Sequence, residues 1–326
     1  MAEVPAECVI GVDLGGTKAV AGAVDSGLAV HHRARREVST SDLPALLETL
    51  TELVDEVREA VGGEVEGVGF GIPCLIDQER GLAASSVHLP IQGVAFAEVM
   101  AERLGVPAFI DNDGNLALLA EQRAGAARGH RSAVMLTLGT GIAGAIMIGG
   151  ELYRGSQGAA GEIGHMVVAA DGPDCGPGCP SRGCLESFAS GTALARDALA
   201  LAKRAPRSRL GMARAAGREI NGPLVTELAF DGDPDAIALL TRLGEWLGIG
   251  LANIANIFNP DVIVVGGGVM AAGELILVPA RRVLAERALA LPAEHVHVVA
   301  ARFGAESGML GAALLVRDRL RQRVRA

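Results

Sequence analysis

Two segments of the chain share one pattern. Val9–Val24, VIGVDLGGTKAVAGAV, lies over Ala133–Ile148, AVMLTLGTGIAGAIMI, and the overlay sets Asp13 opposite Thr137 and Gly15 opposite Gly139. Both copies read as strand, glycine turn, strand, because Val, Ile and Ala flank glycines that can adopt the tight turn. Two unrelated glycine-turned hairpins can look alike, and that reading stays open. The sharper one is an internal duplication whose two turns face each other across a cleft.

The rest of the pattern alternates strands and helices. Residues 8–14, 19–25 and 28–38 read as strands between glycine-rich turns, and a helix follows from Leu43 through Leu46, Leu47, Leu50, Leu53, Val54, Val57 and Val61 behind a capping cluster at 39–42. VEGVGFG at 65–71 is a strand ending at Pro73, 93–105 a helix, and Val106–Ile110 a short buried strand that delivers the chain to DNDGN at 111–115. Turns at the carboxyl ends of such strands are where α/β sheets bind ligands. Further on come strand DVIVV at 261–265 and a final helix over 307–325 with a basic last turn, expected to pack back onto the first domain and help form a hinge. At 326 residues the length suits two packed α/β domains.

Composition narrows the partners. A formal net charge of −9 disfavours a nucleic-acid surface, which needs clustered cations to displace counterions from phosphates. The opening MAEVPAECVIGVDL lacks a basic region and a cleavage site, and no apolar run is read as approaching the ~20 residues of a membrane span, the longest candidate being Val262–Ala272. The expected setting is the cytoplasm, with no nucleic acid and no membrane as partner. Five cysteines, three of them (Cys175, Cys179, Cys184) within ten positions, suggest metal rather than disulfides in a reducing compartment.

Four motifs carry chemistry. In DLGGTK, Gly15 and Gly16 let backbone amides approach an anion, Thr17 adds a donor, Lys18 adds charge, and Asp13 can hold magnesium directly or through water. Paired with Gly139, Thr140 and Gly141 of LGTG, the turn favours nucleotide phosphates, neutralised from both sides, over an ordinary hairpin. Asn112 and Asp113 could merely cap the helix starting near Leu116, yet phosphoryl transfer to an alcohol needs a carboxylate within reach of the hydroxyl proton, which makes Asp113 a candidate base. GAAGEIGH at 158–165 and CGPGCPSRGCLE at 175–186 supply one imidazole, His165, and three thiolates, Cys175, Cys179 and Cys184, a set suited to a closed tetrahedral zinc site. With four protein ligands no position is open for water, so the metal would be a scaffold that fixes His165, Glu162 and Glu186, whose carboxylates could accept hydrogen bonds from vicinal sugar hydroxyls.

DLGGTK, the Asn112-Asp113-x-Asn115 turn, LGTG, GEIGH and CPSRGCLE together resemble the ROK family of bacterial glucokinases, other sugar kinases, epimerase-kinases and sugar-responsive repressors, over about residues 8–312. The resemblance implies the actin-like ATPase (ribonuclease H-like) duplicated α/β fold, with two domains flanking a cleft. The expected division is a small domain over 1–112, completed by a C-terminal helix at about 307–325, and a large domain over 113–306 with a zinc-binding loop. It further implies Asp113 as general base, Asn112, Glu162, His165, Glu186 and Gly71 at the sugar, the glycine turns at the ATP phosphates, and Gly266 and Gly267 of VVGGGV beside the adenosine. The activity implied is ATP- and magnesium-dependent phosphorylation of the primary hydroxyl of a hexose, glucose above all, by a dimer or tetramer. Other sugars (N-acetylmannosamine, fructose, allose) and polyphosphate as donor remain alternatives, as does a sugar-sensing regulator; only about seven residues precede the first strand, too few for a helix-turn-helix. Two departures stand out. Three residues separate Cys175 from Cys179 where the family usually has one, so the insertion must bulge without displacing the ligands. His88 stands where many relatives carry Asn, which weakens the expectation of glucose, although a solvated loop residue is an equal reading for a lone His.

Overall fold

The computed structural model describes residues 8–39, 42–62, 64–78, 80–86, 89–176 and 178–325. The chain divides into two compact units, one of Met1–Gly125, Leu152–Ala160 and Ala305–Ala326, the other of Ala126–Glu151 and Gly161–Gly304.

The first unit is built on a five-stranded sheet in the order Val30–Glu37, Lys18–Val24, Val9–Leu14, Val68–Ile72, Ala108–Asn112. The first three strands are antiparallel neighbours, and the last two run parallel to Val9–Leu14. Helix Leu43–Ala60 starts where the Asp42 carboxylate accepts from the Ala45 N–H at 2.9 Å, with Pro44 in the first turn, where no N–H is required. Its apolar spacing buries Leu46, Leu47, Leu50, Leu53, Val54 and Val57. Helix Ser307–Arg325 belongs to this unit. It lies so close to the sheet that a Cβ on Gly11 or Gly69, paired across two parallel strands, would strike the carbonyl of Met309 or Ala312. Both positions therefore need glycine.

The second unit repeats this plan. Its sheet runs Glu151–Leu152, Ile142–Ile148, Ala133–Leu138, Val262–Gly266, His297–Ala300, with an antiparallel hairpin around residues 139–141 followed by two parallel neighbours. In each unit the first strand of the hairpin pairs with its own return strand on one side and a parallel strand on the other. The duplicated segment is thus a duplicated sheet core.

One expectation needs correcting. Helix Pro234–Phe258 is, among the described residues, long and apolar enough to cross a membrane by length and composition, although half of its apolar window is buried within the protein. Leu240, Leu243, Leu247 and Leu251 face the core, Gly244 sits against the Ile276 carbonyl and Pro279, and Arg242 is exposed. Its helical periodicity, broken by charges, is that of a packed core helix rather than a continuous apolar run.

Candidate functional site

In the first unit the chemistry collects at the carboxyl ends of three parallel or paired strands. Asp13, one residue from the end of its strand, pairs with Gly71. Gly71 leaves the space that lets the Asp113 Cα come within 3.6 Å of where its Cβ would stand. Gly308, near the start of the C-terminal helix, likewise leaves room for the Asp13 carboxyl group, whose Cγ would lie 2.6 Å from a Cβ there. The glycine turn closes with the Gly15 N–H donating to the Lys18 carbonyl at 2.8 Å, leaving Thr17 and Lys18 exposed and Gly16 half-buried.

Burial pushes the Asp13 carboxyl up to about 7, the charge of Asp113 adds to the rise, and Lys18 opposes it. A carboxylate desolvated beside another carboxylate fits a site for a divalent cation, so Asp13 is the residue here that would hold magnesium, which would screen phosphate charge. Without a cation, the folded protein retains a proton that the unfolded chain releases above its ordinary value of 3.8. The resulting penalty is absent below that pH, grows as pH rises, and is complete above about 7. Asp13→Asn should therefore stabilise the magnesium- and nucleotide-free protein more at pH 8 than at pH 5, by a difference on the order of 2–3 kcal/mol that shows as a larger rise in thermal midpoint at pH 8. Equal gains at the two pH values, read by calorimetry, would contradict this.

Asn112 is the N-cap of helix Asp113–Ala124, its Oδ1 accepting from the N–H groups of Gly114 at 2.9 Å and Asn115 at 3.3 Å. The capping reading and the catalytic reading thus describe the same turn. Asp113 occupies the first helical position, half-buried, and accepts from the Gly114 N–H at 2.9 Å. Negative charge at that end is favoured by the helix dipole.

Two residues that motif reading missed complete this region. Asp111 is fully buried, and its Oδ1 accepts from the Asn112 N–H at 2.8 Å and Asn115 Nδ2 at 3.0 Å. Its Oδ2 accepts from Arg154 Nε at 3.0 Å and Nη2 at 2.5 Å. The segment DNDGN signals a turn, whereas nothing in the sequence pairs Asp111 with an arginine 43 positions on.

In the second unit, turn 139–141 is held by the start of helix Gly191–Arg204. Gly191 N–H donates to the Gly139 carbonyl at 2.8 Å, and the Thr192 hydroxyl donates to that of Thr140, also at 2.8 Å. Gly267, with φ +90°, abuts the Leu138 backbone where no side chain would fit, and Gly266 ends the neighbouring strand. Glu186 reaches the same turn: its Oε2 accepts from the Ile142 N–H at 2.6 Å and presses against Gly141. The structure therefore sets Glu186 beside the glycine turn. Glu162 is near enough to feel its charge, and burial, with Glu186 adding, raises the Glu162 carboxyl while His165 opposes the rise.

The four expected metal ligands converge. One ligand atom from each of His165, Cys175, Cys179 and Cys184 lies within 4.8 Å of the others. His165 Nδ1 is 3.4 Å from Cys175 Sγ, and the sulfurs of Cys179 and Cys184 are 3.9 Å apart. A tetrahedral zinc with Zn–S near ~2.3 Å and Zn–N near ~2.0 Å requires edges of roughly 3.5 Å for N···S and roughly 3.8 Å for S···S. The set fits. His165 turns its other nitrogen, Nε2, towards Glu162 Oε2 at 3.9 Å, the arrangement expected when Nδ1 binds metal and a carboxylate orients the ring. Main-chain bonds from Val168 to Gly183 and from Leu185 to Met166, each 2.8 Å, lace the His165 segment to that of Cys184. The longer Cys175–Cys179 spacing is taken up by a hairpin of Asp174–Gly176 and Cys179–Arg182 with an irregular register. His88 lies outside the described residues.

Comparison with known proteins agrees with this picture. The ROK family profile matches residues 9–319. A glucokinase of Streptomyces coelicolor is 36% identical over 317 residues, 95% of this chain and 97% of that protein. The crystal structure of a ROK family glucokinase from Streptomyces griseus in complex with glucose and AMPPNP superposes with a TM-score of 0.86 at 35% identity, covering 95% of this chain and 99% of the other. A putative xylose repressor of a Caldicellulosiruptor species is 32% identical over 277 residues, 83% of this chain and 68% of the repressor.

Proposed function

We propose, from the premise that this chain belongs to the ROK family and has the actin-like ATPase fold, that it is an ATP-dependent hexose kinase converting glucose to glucose 6-phosphate. The observation that carries the reading is Asp113: a half-buried carboxylate at the first position of a helix, at the carboxyl end of a strand, beside the Asp13 carboxylate. In phosphoryl transfer the phosphorus passes between oxygens roughly in line, and the protein contributes positioning and charge neutralisation more than covalent chemistry. Asp113 would accept the proton of the sugar's primary hydroxyl as that oxygen attacks the γ-phosphorus of ATP. Glu162 and Glu186 would accept hydrogen bonds from other sugar hydroxyls, with His165 at the same sugar and Asn112 and Gly71 beside the base. The glycine turns at 13–18 and 139–141 would receive the triphosphate on backbone N–H groups, and Gly266 and Gly267 would lie by the nucleoside. Zinc on His165, Cys175, Cys179 and Cys184 would supply rigidity alone, since all its positions are filled by protein. The Streptomyces griseus glucokinase with glucose and AMPPNP supports both substrates. We also propose the cytoplasm, a reducing setting that suits three thiols gathered as metal ligands, and a dimer or tetramer.

The repressor relative favours one second reading, a sugar-binding regulator without turnover. A coupled assay of ATP with glucose, mannose, fructose, allose and N-acetylmannosamine, with polyphosphate as a second donor, separates the two. Turnover strongest with glucose and ATP is the expected result. Sugar binding with no phosphorylation of any sugar by either donor would leave the regulator.

A further inference from the structure

We infer that Arg154 is a positioning residue for the base, acting through Asp111 on the turn that carries Asp113; the catalytic part of this inference rests on the function proposed above.

The side chain of Asp111 is 1% exposed. A carboxylate removed from water to that degree stays ionised only if donors and a positive charge replace the lost solvation. The structure divides that task between its two oxygens. Oδ2 takes Nε and Nη2 of Arg154, while Oδ1 takes the Asn112 N–H and the Asn115 side chain. Asn112 and Asn115 flank Asp113, and Asn112 in turn caps the helix that Asp113 begins. One carboxylate therefore fixes the residues on both sides of the base, and the guanidinium fixes that carboxylate. A planar fork suits this task better than an ammonium, since two N–H groups converge on one oxygen while Nη1 reaches the Leu152 carbonyl at 3.4 Å.

Arg154 is itself tethered. Its carbonyl accepts from the Ala160 N–H at 3.1 Å, closing the loop 154–160. Within that loop Gly158, at φ +75°, lies against the Ile76 carbonyl so closely that no Cβ could be added. The loop thus docks on the first unit at two points, a glycine contact and a charged one. Arg154 itself lies outside the motifs that suggest phosphoryl transfer, which is why the role is not evident from them.

Without Arg154, Asp111 Oδ2 loses the two N–H groups that hold it, and the buried carboxylate is no longer pinned in one orientation. Its Oδ1 then holds Asn112 and Asn115 less firmly, and the turn around Asp113 loosens. Such loosening affects the transition state, where the base must meet a proton within hydrogen-bond reach, more than it affects ground-state binding of sugar or nucleotide.

The test compares full-length wild type, Arg154→Met and Arg154→Lys. The expected result for Arg154→Met is a kcat at least about tenfold lower with KM for glucose and ATP within about threefold, partial recovery in Arg154→Lys, and further recovery of Arg154→Met by millimolar guanidinium ion. Hydrogen exchange of the ligand-free proteins is the second readout: amides over residues 108–116 should exchange faster in Arg154→Met while those of the metal-binding loop do not. If Arg154→Met does not fold, Arg154→Lys carries both measurements. Unchanged exchange over 108–116, or an unchanged kcat despite faster exchange, would overturn the inference. Absence of turnover in the wild type would instead remove the kinase reading, and hydrogen exchange alone would then decide whether Arg154 anchors the turn.

Discussion

Asp113→Asn is expected to bind glucose about as well as the wild type and to lose roughly 10²-fold or more in kcat. The substitution preserves shape and keeps an oxygen that can accept from the Gly114 N–H, as Asp113 does at 2.9 Å, so the helix start should survive. What it removes is the capacity to take up a proton. It also removes the negative charge that raises the Asp13 carboxyl, and Asp13 should then titrate at lower pH. Isothermal titration with glucose and steady-state turnover with ATP measure the two halves of the prediction separately. Near-normal turnover would take Asp113 out of the base role, whereas lost binding with a proportionate loss of kcat/KM would make it a sugar ligand.

The second large effect concerns metal. Freshly purified protein should contain about one zinc per chain, and Cys184→Ser should abolish stoichiometric retention. Cys184 is the fully buried member of the set, and burial together with the neighbouring Cys179 sulfur holds its thiol above the usual range. Three thiol groups this close cannot all ionise without a cation among them, so the bound metal and the fold of the loop are one equilibrium. Losing a ligand should destabilise the second unit by about 3 kcal/mol or more. For a unit of this size that lowers the thermal midpoint by roughly 6 °C or more. Elemental analysis and calorimetry provide the check. Protein with no bound metal and an unperturbed Cys184→Ser variant would refute the scaffold role.

Much of the architecture can be read from local pattern. Short runs rich in Val, Ile and Ala on either side of glycine turns mark the paired hairpins, whose strands are buried along most of their length, and three- and four-residue spacing marks the buried face of helix Leu43–Ala60. The metal ligands are legible for a different reason: Cys and His at short spacing among glycines have few other uses, and their convergence follows. Helix Pro234–Phe258 escapes a search for uninterrupted apolar stretches because Asp235, Arg242 and Glu245 punctuate it. The Asp111–Arg154 pair is invisible for a deeper reason. It joins distant segments, and neither residue type is informative until burial is known. The same holds for Glu186 beside Gly141, where a carboxylate read as a sugar contact also braces a glycine turn.

The measurement that tests the kinase assignment most directly is phosphorus NMR of ATP, magnesium and glucose incubated with the protein. The account predicts a phosphomonoester signal on the sugar's primary carbon, growing in step with ADP and roughly 10²-fold or more slower with Asp113→Asn. ATP left intact, or broken down to inorganic phosphate with no sugar phosphate formed, would contradict it.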